Sequence, residues 1–421
     1  MEKIHTWRSR MPGPGYYWIG KEEEEEVLSL IRARYLFRYG DPKDPVFQHR
    51  VKTLEEEVAK KFGVKYALAL SSGTAALNTA LSAAGIGPGD EVIVPGYTFI
   101  ASMSAVITCN AVPILAEVDE SLTLDPEDVE ARITPYTRAI LPVHMIGNPS
   151  DLDRLGKIAK KHKLLLIEDS AQAFGATYHG KRVGTIGQLG TYSFNIFKTI
   201  NAGDGGMVVT DDEDLYQKAF GYHDQGHLPL RMGVEVGKRS VIGMNFRMTE
   251  LSAAVLLAQF RKLDAIIQRL TALKTRFKKQ IQGAKGLEFR KLNDPEGECH
   301  TLLTVFLPDK KSAEAVAEKL GTTTVAHSGW HVYNNMENIL GMKTINPKNN
   351  PVKHPFYKGK AEYRKGMLPK TDALLERAIN ISVGVVDRGL GAAFGINMES
   401  SDAEVDRQAE TFRKTVEQVM R

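Results

Sequence analysis

The chain has 421 residues, 43% hydrophobic and 25% charged, with 37 Gly and 18 Pro, enough for two or three domains and a large core without disulfides or metals. Its 55 Lys and Arg against 51 Asp and Glu leave a net charge of +4, with the signs interspersed along most of the chain, which argues against a dedicated nucleic-acid binder. Two cysteines, Cys109 and Cys299, make no disulfide framework and point to a reducing compartment. The first thirty residues contain no uninterrupted apolar stretch, and no run of about 18 apolar residues occurs anywhere, so neither a signal peptide nor a membrane span is expected. A soluble, cytoplasmic protein is.

The acidic run Glu22–Glu26 follows Gly20 and precedes VLSLI, and reads as the acid-rich first turn of a helix. From residue 50 to 210 helical and strand periods alternate. TLEEEVAKKF, TAALNTALSAAG, IASMSAVITCN and DLDRLGKIAKKH carry helical spacing, while YALAL, EVIVP, VPILAEV, RAILPVH and LLLIED read as short buried strands. Continuously apolar strands separated by helices indicate parallel βαβ units with both sheet faces covered. The strands YSFN and GMVVT lack an intervening helix, so a local antiparallel or irregular insertion is expected there. Beyond Arg247, helical apolar spacing continues over more than thirty residues as one long helix linking two domains. TLLTVFLP, SAEAVAEKL, INISVG and AEVDRQAETFRKTVEQVM then suggest a small α+β domain. The division is placed at 1–270 for an N-terminal arm and large α/β domain, and 271–421 for the small domain.

Three segments sit where an α/β sheet binds ligands, at the carboxyl ends of strands. In LALSSGTAAL a buried strand turns into a helix, so Ser72, Gly73 and Thr74 offer amides and hydroxyls suited to a phosphate. An ordinary capped helix has the same look. In LLLIEDSAQAFGA, Asp169 lies just past the apolar run, where a buried carboxylate needs a cation or a strong donor to stay ionised. In YSFNIFKTINAGDGG, Lys198 is flanked by apolar and small residues, a setting that depresses its pKa and favours the neutral amine of Schiff-base chemistry. A phosphate cradle, a carboxylate for a protonated ring nitrogen and an activated lysine are together what pyridoxal phosphate (PLP) requires.

These segments resemble the motifs of the DegT/DnrJ/StrS family of PLP-dependent sugar aminotransferases, of the aspartate-aminotransferase fold (fold type I). The resemblance runs from about residue 16 to the last helix and is densest from 66 to 265; the 29 residues between Asp169 and Lys198 also match the family spacing. It implies an α/β fold with a mainly parallel central sheet flanked by helices and a small C-terminal α+β domain. It also implies roles. Lys198 links to the cofactor and shuttles the proton, Asp169 pairs with the pyridinium nitrogen, and Gln172 bonds the ring hydroxyl. Gly73, Thr74 and Ser193 hold the phosphate, and Phe99 stacks on the ring. Asn245 resembles the residue reaching the phosphate of a neighbouring subunit, which implies a homodimer with shared sites. The amino donor is glutamate or glutamine and the acceptor a keto or aldehyde sugar. Asp204 stands where the family commonly has Glu, a mark of a subgroup. Relatives that dehydrate sugars replace the lysine with histidine, and Lys198 argues against that chemistry.

His223 with His227, and His327 with His331, are spaced four apart, but Gly226 and Gly329 interrupt each pair and no metal site is expected. His227 is read as a substrate contact and His331 as a loop histidine without a role. The LFRYG and DQGH segments resemble the subgroup that makes 8-amino-3,8-dideoxy-manno-octulosonate. On that reading Arg38 is a substrate residue, its planar fork binding a sugar-acid carboxylate or the α-carboxylate of glutamate. The alternatives are a nucleotide-linked keto-sugar or scyllo-inosose aminotransferase, a PLP-dependent lyase, and a catalytically silent binding protein.

Overall fold

The computed structural model describes residues 13–229 and 239–421; residues 1–12, which open the expected arm and belong to the stretch read as free of a signal peptide, lie outside the described residues. The acidic run does open a helix, α1 (Lys21–Ala33), with Glu22, Glu23 and Glu24 in its first turn, where carboxylates meet the positive end of the helix dipole. Glu23 reaches back to accept from the Gly20 amide at 2.7 Å. Helix α2 (Arg50–Phe62) buries Val51, Leu54, Val58 and Phe62 along one stripe and stops at Gly63, whose φ of 73° is left-handed, a conformation glycine adopts without strain.

Helix and strand then alternate: β1 (Tyr66–Leu70), α3 (Gly73–Ala83), β2 (Glu91–Pro95), α4 (Ile100–Thr108), β3 (Val112–Ala116), α5 (Pro126–Ala131), β4 (Thr137–Ile140), α6 (Leu152–His162) and β5 (Leu165–Asp169). A small hairpin, β6 (Thr177–Tyr178) with β7 (Lys181–Arg182), precedes β8 (Leu189–Ser193) and β9 (Gly206–Thr210). Seven of these strands form one sheet in the order β1-β9-β8-β5-β4-β2-β3. The pairs β2–β3, β2–β4, β4–β5 and β5–β8 are parallel. Strand β9 runs antiparallel to both its neighbours and is the insertion expected from the missing helix. Every residue of β2, β8 and β9 is buried, because helices cover both faces, and this is why the strands read as unbroken apolar runs. The architecture is mixed α/β with a mostly parallel central sheet flanked by helices.

After α7 (Glu213–His223), the long helical pattern proves to be two helices, α8 (Glu250–Arg261) and α9 (Leu263–Ile281). The Lys262 amide bonds the Gln259 carbonyl, three residues back, so the ladder slips where the Lys262 ammonium clamps Glu22, Glu23 and the Trp18 carbonyl. Beyond it lie β10 (Glu288–Phe289), β11 (Leu302–Phe306), α10 (Lys310–Lys319), the short α11 (Glu337–Leu340), α12 (Pro369–Glu376), β12 (Ala378–Ser382) and the terminal α13 (Asp402–Val419). Strands β10, β11 and β12 make a separate antiparallel sheet. One apolar cluster runs from Val58, Phe174 and Phe260 through Leu270 and Phe277 of α9 to Val305 and Phe412. Position 270 thus falls within α9, whose apolar stripe packs on both sides of it.

Candidate active site

Strand β5 ends on two acids that pleating sends to opposite faces. Glu168 is fully buried and accepts from the amides of Gly184, Ile186 and Gly187 at 2.6–2.7 Å. His144 Nε2 completes the set at 3.0 Å; since His144 Nδ1 accepts from the Ser150 amide, Nε2 is the nitrogen that carries the proton and donates. Burial alone would raise the Glu168 carboxyl, but His144 and the amides outweigh it and hold it below the ordinary value. Glu168 is therefore a structural anchor. Asp169, 3% exposed, faces the other way, its Oδ2 accepting from Ser102 Oγ at 2.7 Å and its Oδ1 from the Ala171 amide at 3.1 Å. Here burial wins, raising the carboxyl against the opposing pull of Ser102, Ala171 and Lys198.

Asp169 opens into a cavity of about 590 Å³ that Gly73, Thr74, Phe99, Gln172, Ser193 and Lys198 also line. Burial lowers the Lys198 ammonium, with Asp169 and Asp387 opposing, so the neutral amine is within reach at lower pH than for a free lysine. At the amino end of α3, Ser72 Oγ accepts from the Ala75 amide at 3.1 Å. The amides of Gly73 and Thr74 bond nothing among the described residues. Gly73 also packs against β8, where a Cβ would lie 2.6 Å from Ser193 Cβ. Gln172 is held by the Ile146 amide, 3.1 Å from its Oε1. Ile146 has a φ of 55°, costly for a β-branched residue, and its carbonyl meets Arg290 at 3.5 Å. Arg290 joins a buried cluster in which Lys274 lies 2.5 Å from Glu298.

Other expectations land elsewhere. Arg38, expected as a substrate residue, is 6% exposed and does not line this chain's cavity. Its guanidinium bonds Glu55 at 2.7 Å, the Ala69 carbonyl at 2.9 Å and His223 Nε2 at 3.1 Å. With those donors turned into the core, it braces the segment after α1 against β1 and α7. His227, expected as a substrate contact, is 7% exposed, lies outside this chain's cavity lining and bonds the Asp224 carbonyl through Nδ1 at 2.7 Å. Asn245 is exposed, pairs through its backbone with Asp224 and is absent from this chain's cavity wall.

His331, read as a loop histidine without a role, stands at the site. It lines the cavity, its ring 5.2 Å from that of Phe99, and burial together with Lys198 pushes it down to about 3. It is thus a neutral wall. Ser102, Ile146, Trp330 and Asp387 were not singled out and also line the cavity. Nothing local marks them, because they arrive from α4, a turn and two C-terminal loops. Asp204, the subgroup mark, lines it too and accepts from Asn195 Nδ2 at 3.1 Å. No group of three or more metal-ligating side chains occurs among the described residues.

The chain matches the DegT/DnrJ/EryC1/StrS aminotransferase family over residues 46–386. It belongs to that family. A GDP-perosamine synthase of Caulobacter vibrioides is 46% identical over 211 residues, 50% of this chain and 56% of that protein. An L-glutamine:2-deoxy-scyllo-inosose aminotransferase of Streptomyces kanamyceticus is 43% identical over 230 residues, 51% of this chain and 53% of its own length. The chain thus spans about half the length of these curated relatives. The X-ray structure of an aminotransferase from Psychrobacter cryohalolentis is 27% identical, with a TM-score of 0.77 over 98% of this chain and 100% of that one. The family match ends one residue before Asp387, so this cavity residue lies in a segment outside the matched region.

Proposed function

We propose that this protein is a cytoplasmic PLP-dependent aminotransferase that moves an amino group from glutamate or glutamine to a keto or aldehyde carbon of a sugar or sugar-derived ring. The observation that carries this reading is the union, in one cavity, of a desolvated Lys198, a buried Asp169 and the amide-rich amino end of α3. The donor set fits PLP. The amides of Gly73 and Thr74 suit the phosphate, with Ser193 close beside them. Asp169, already pinned by Ser102 and Ala171, suits a protonated ring nitrogen.

Bound there, PLP supplies an electron sink for charge developing at the substrate carbon. The chain does the rest. Lys198 offers a neutral amine as nucleophile and afterwards receives and returns the proton at the substrate carbon. Asp169 keeps a proton on the ring nitrogen. Gln172, its own orientation set by the Ile146 amide, positions the ring's polar edge, while Phe99 and His331 form an uncharged aromatic wall that limits water.

We further infer a homodimer with active sites at its seam, since Asn245 is exposed and is not part of this chain's own cavity wall. A mixed dimer of Lys198→Ala and Asn245→Ala chains has one site with both lesions and one with neither, so about half the native activity should return. An inactive mixed dimer refutes shared sites.

For the acceptor, the similarity to a GDP-perosamine synthase supports a nucleotide-linked keto sugar. The sugar-acid reading draws no support from Arg38, which is paired with Glu55 and outside this chain's cavity lining. The deciding experiment incubates the PLP-loaded protein with glutamate or glutamine, follows the visible absorption band, and then offers a GDP-linked keto sugar, 2-deoxy-scyllo-inosose and the 8-aldehyde of 3-deoxy-manno-octulosonate. A band that shifts with an amino donor and returns with one acceptor supports the reading. A band insensitive to both donors refutes it.

A further inference from the structure

Residues 343–365 carry six lysines, Arg364 and a single acid, Glu362, a net charge of +6 against +4 for the whole chain. All seven cations are exposed, and none has an ion pair among the described residues. The nearby Lys370 and Arg377, by contrast, are each paired with a carboxylate. The segment lies along the β3 edge of the central sheet. Tyr363 Oη donates to the Pro113 carbonyl and Tyr357 Oη to Glu91, both at 2.7 Å, and the Phe356 backbone rests on the turn at Gly89. Gly89 and Glu91 precede and open β2, so this part of the segment sits at the end of the strand opposite the cavity.

Covering an edge strand explains buried Tyr357 and half-buried Tyr363, and lysine is a common guard of such edges. It does not explain Ile345 and Phe356, which are 107% and 71% exposed among those cations. We propose that this segment docks the protein on the surface of an anionic lipid bilayer, the cations meeting headgroups and the two apolar side chains entering the interfacial layer. An anionic surface strengthens partitioning about fivefold per nearby Lys or Arg, and exposed Ile and Phe add apolar burial on contact. Nucleic acid fits less well: the segment is built of short turns at Pro347–Asn349 and Pro351–Lys353, and Ile345 gives a base no aromatic face for stacking. No helix among the described residues is long and apolar enough to cross a membrane, so the attachment is peripheral.

The test sediments the full-length protein with vesicles of equal parts phosphatidylglycerol and phosphatidylcholine, or of phosphatidylcholine alone. Three engaged cations give about 100-fold tighter binding to the anionic vesicles, weakening as salt is raised. A Lys353→Glu/Lys358→Glu/Lys360→Glu variant loses that preference, and Ile345→Ser/Phe356→Ser weakens binding about tenfold. Both retain the wild-type circular dichroism and melting temperature. Equal binding to the two vesicle types, no binding to either, or an anionic preference untouched by the charge reversal overturns the proposal. So does tighter binding to single-stranded RNA than to anionic vesicles, unaffected by the Ile345 and Phe356 changes. The salt dependence of the unmodified protein gives a reading that needs no variant.

Discussion

Replacing Arg38 with Met separates a core brace from a substrate-binding arginine. The side chains of Arg38 and Glu55 are 4% and 14% exposed and meet at 2.7 Å. Without the guanidinium, Glu55 keeps the Ala69 amide at 2.7 Å, while the Ala69 carbonyl and His223 Nε2 lose the donors at 2.9 Å and 3.1 Å. Removing one member of a buried pair costs about 3–5 kcal/mol. The retained amide places Arg38→Met near the lower end, about 3 kcal/mol. An Arg38→Met/Glu55→Leu double variant should lose about 2 kcal/mol less than the two single changes summed, because neither charge is left alone. The pH dependence follows from Glu55, which burial already raises above the ordinary carboxyl value against the opposing pull of Arg38. Without Arg38 it rises further. Above that raised value the folded state carries an unpaired buried carboxylate and the loss is full; as pH falls toward the ordinary glutamate range the folded state binds the proton and the loss shrinks. Urea unfolding followed by circular dichroism at acidic and alkaline pH reads both effects, and steady-state kinetics gives the KM for the amino donor. A variant within about 1 kcal/mol of wild type whose donor or acceptor KM rises more than about tenfold would refute the brace and restore Arg38 to the substrate site.

Lys198→Ala should abolish turnover without loss of thermal stability, and the protein should yield no borohydride-stable PLP–lysine adduct; a surviving adduct at another lysine would reassign the nucleophile. Asp169→Asn should retain PLP but turn over at least about 100-fold more slowly, a few kcal/mol of electrostatic support. It also removes the largest influence opposing the fall of the Lys198 pKa, so the pH midpoint for PLP capture by the apoprotein should move down; an unchanged or higher midpoint contradicts the pairing. Gly73→Ala places a Cβ 2.6 Å from Ser193 Cβ and 2.8 Å from its Oγ, and overpacking of about 1–3 kcal/mol should weaken PLP retention about tenfold or more, measured by equilibrium dialysis. Wild-type retention would show that α3 and β8 have room to part.

Much of the architecture was legible because it is local. Unbroken apolar runs placed the strands of the α/β region and the 3.6-residue period its helices, one of which, α6, the structure shows capped by Asp151 accepting from the Arg154 amide at 3.0 Å. The missing helix between YSFN and GMVVT foretold antiparallel β9. Asp169 stood just past the apolar run of β5, and its spacing from Lys198 matched the family. Asp169 was the acid singled out, and it is the one that lines the cavity; that Ser102, 67 residues away, would hold it was not legible. Arg38 shows the limit most clearly. Its sequence neighbourhood suits a carboxylate ligand, and only the return of α7, 185 positions later, brings His223 against it and commits it to the core. His331 took the reverse course, since its place beside Phe99 depends on a C-terminal loop folding back over the cavity. Periodicity and caps report energies that neighbours along the chain decide, whereas a titratable side chain's role is set by the partners and dielectric it meets after distant segments have packed.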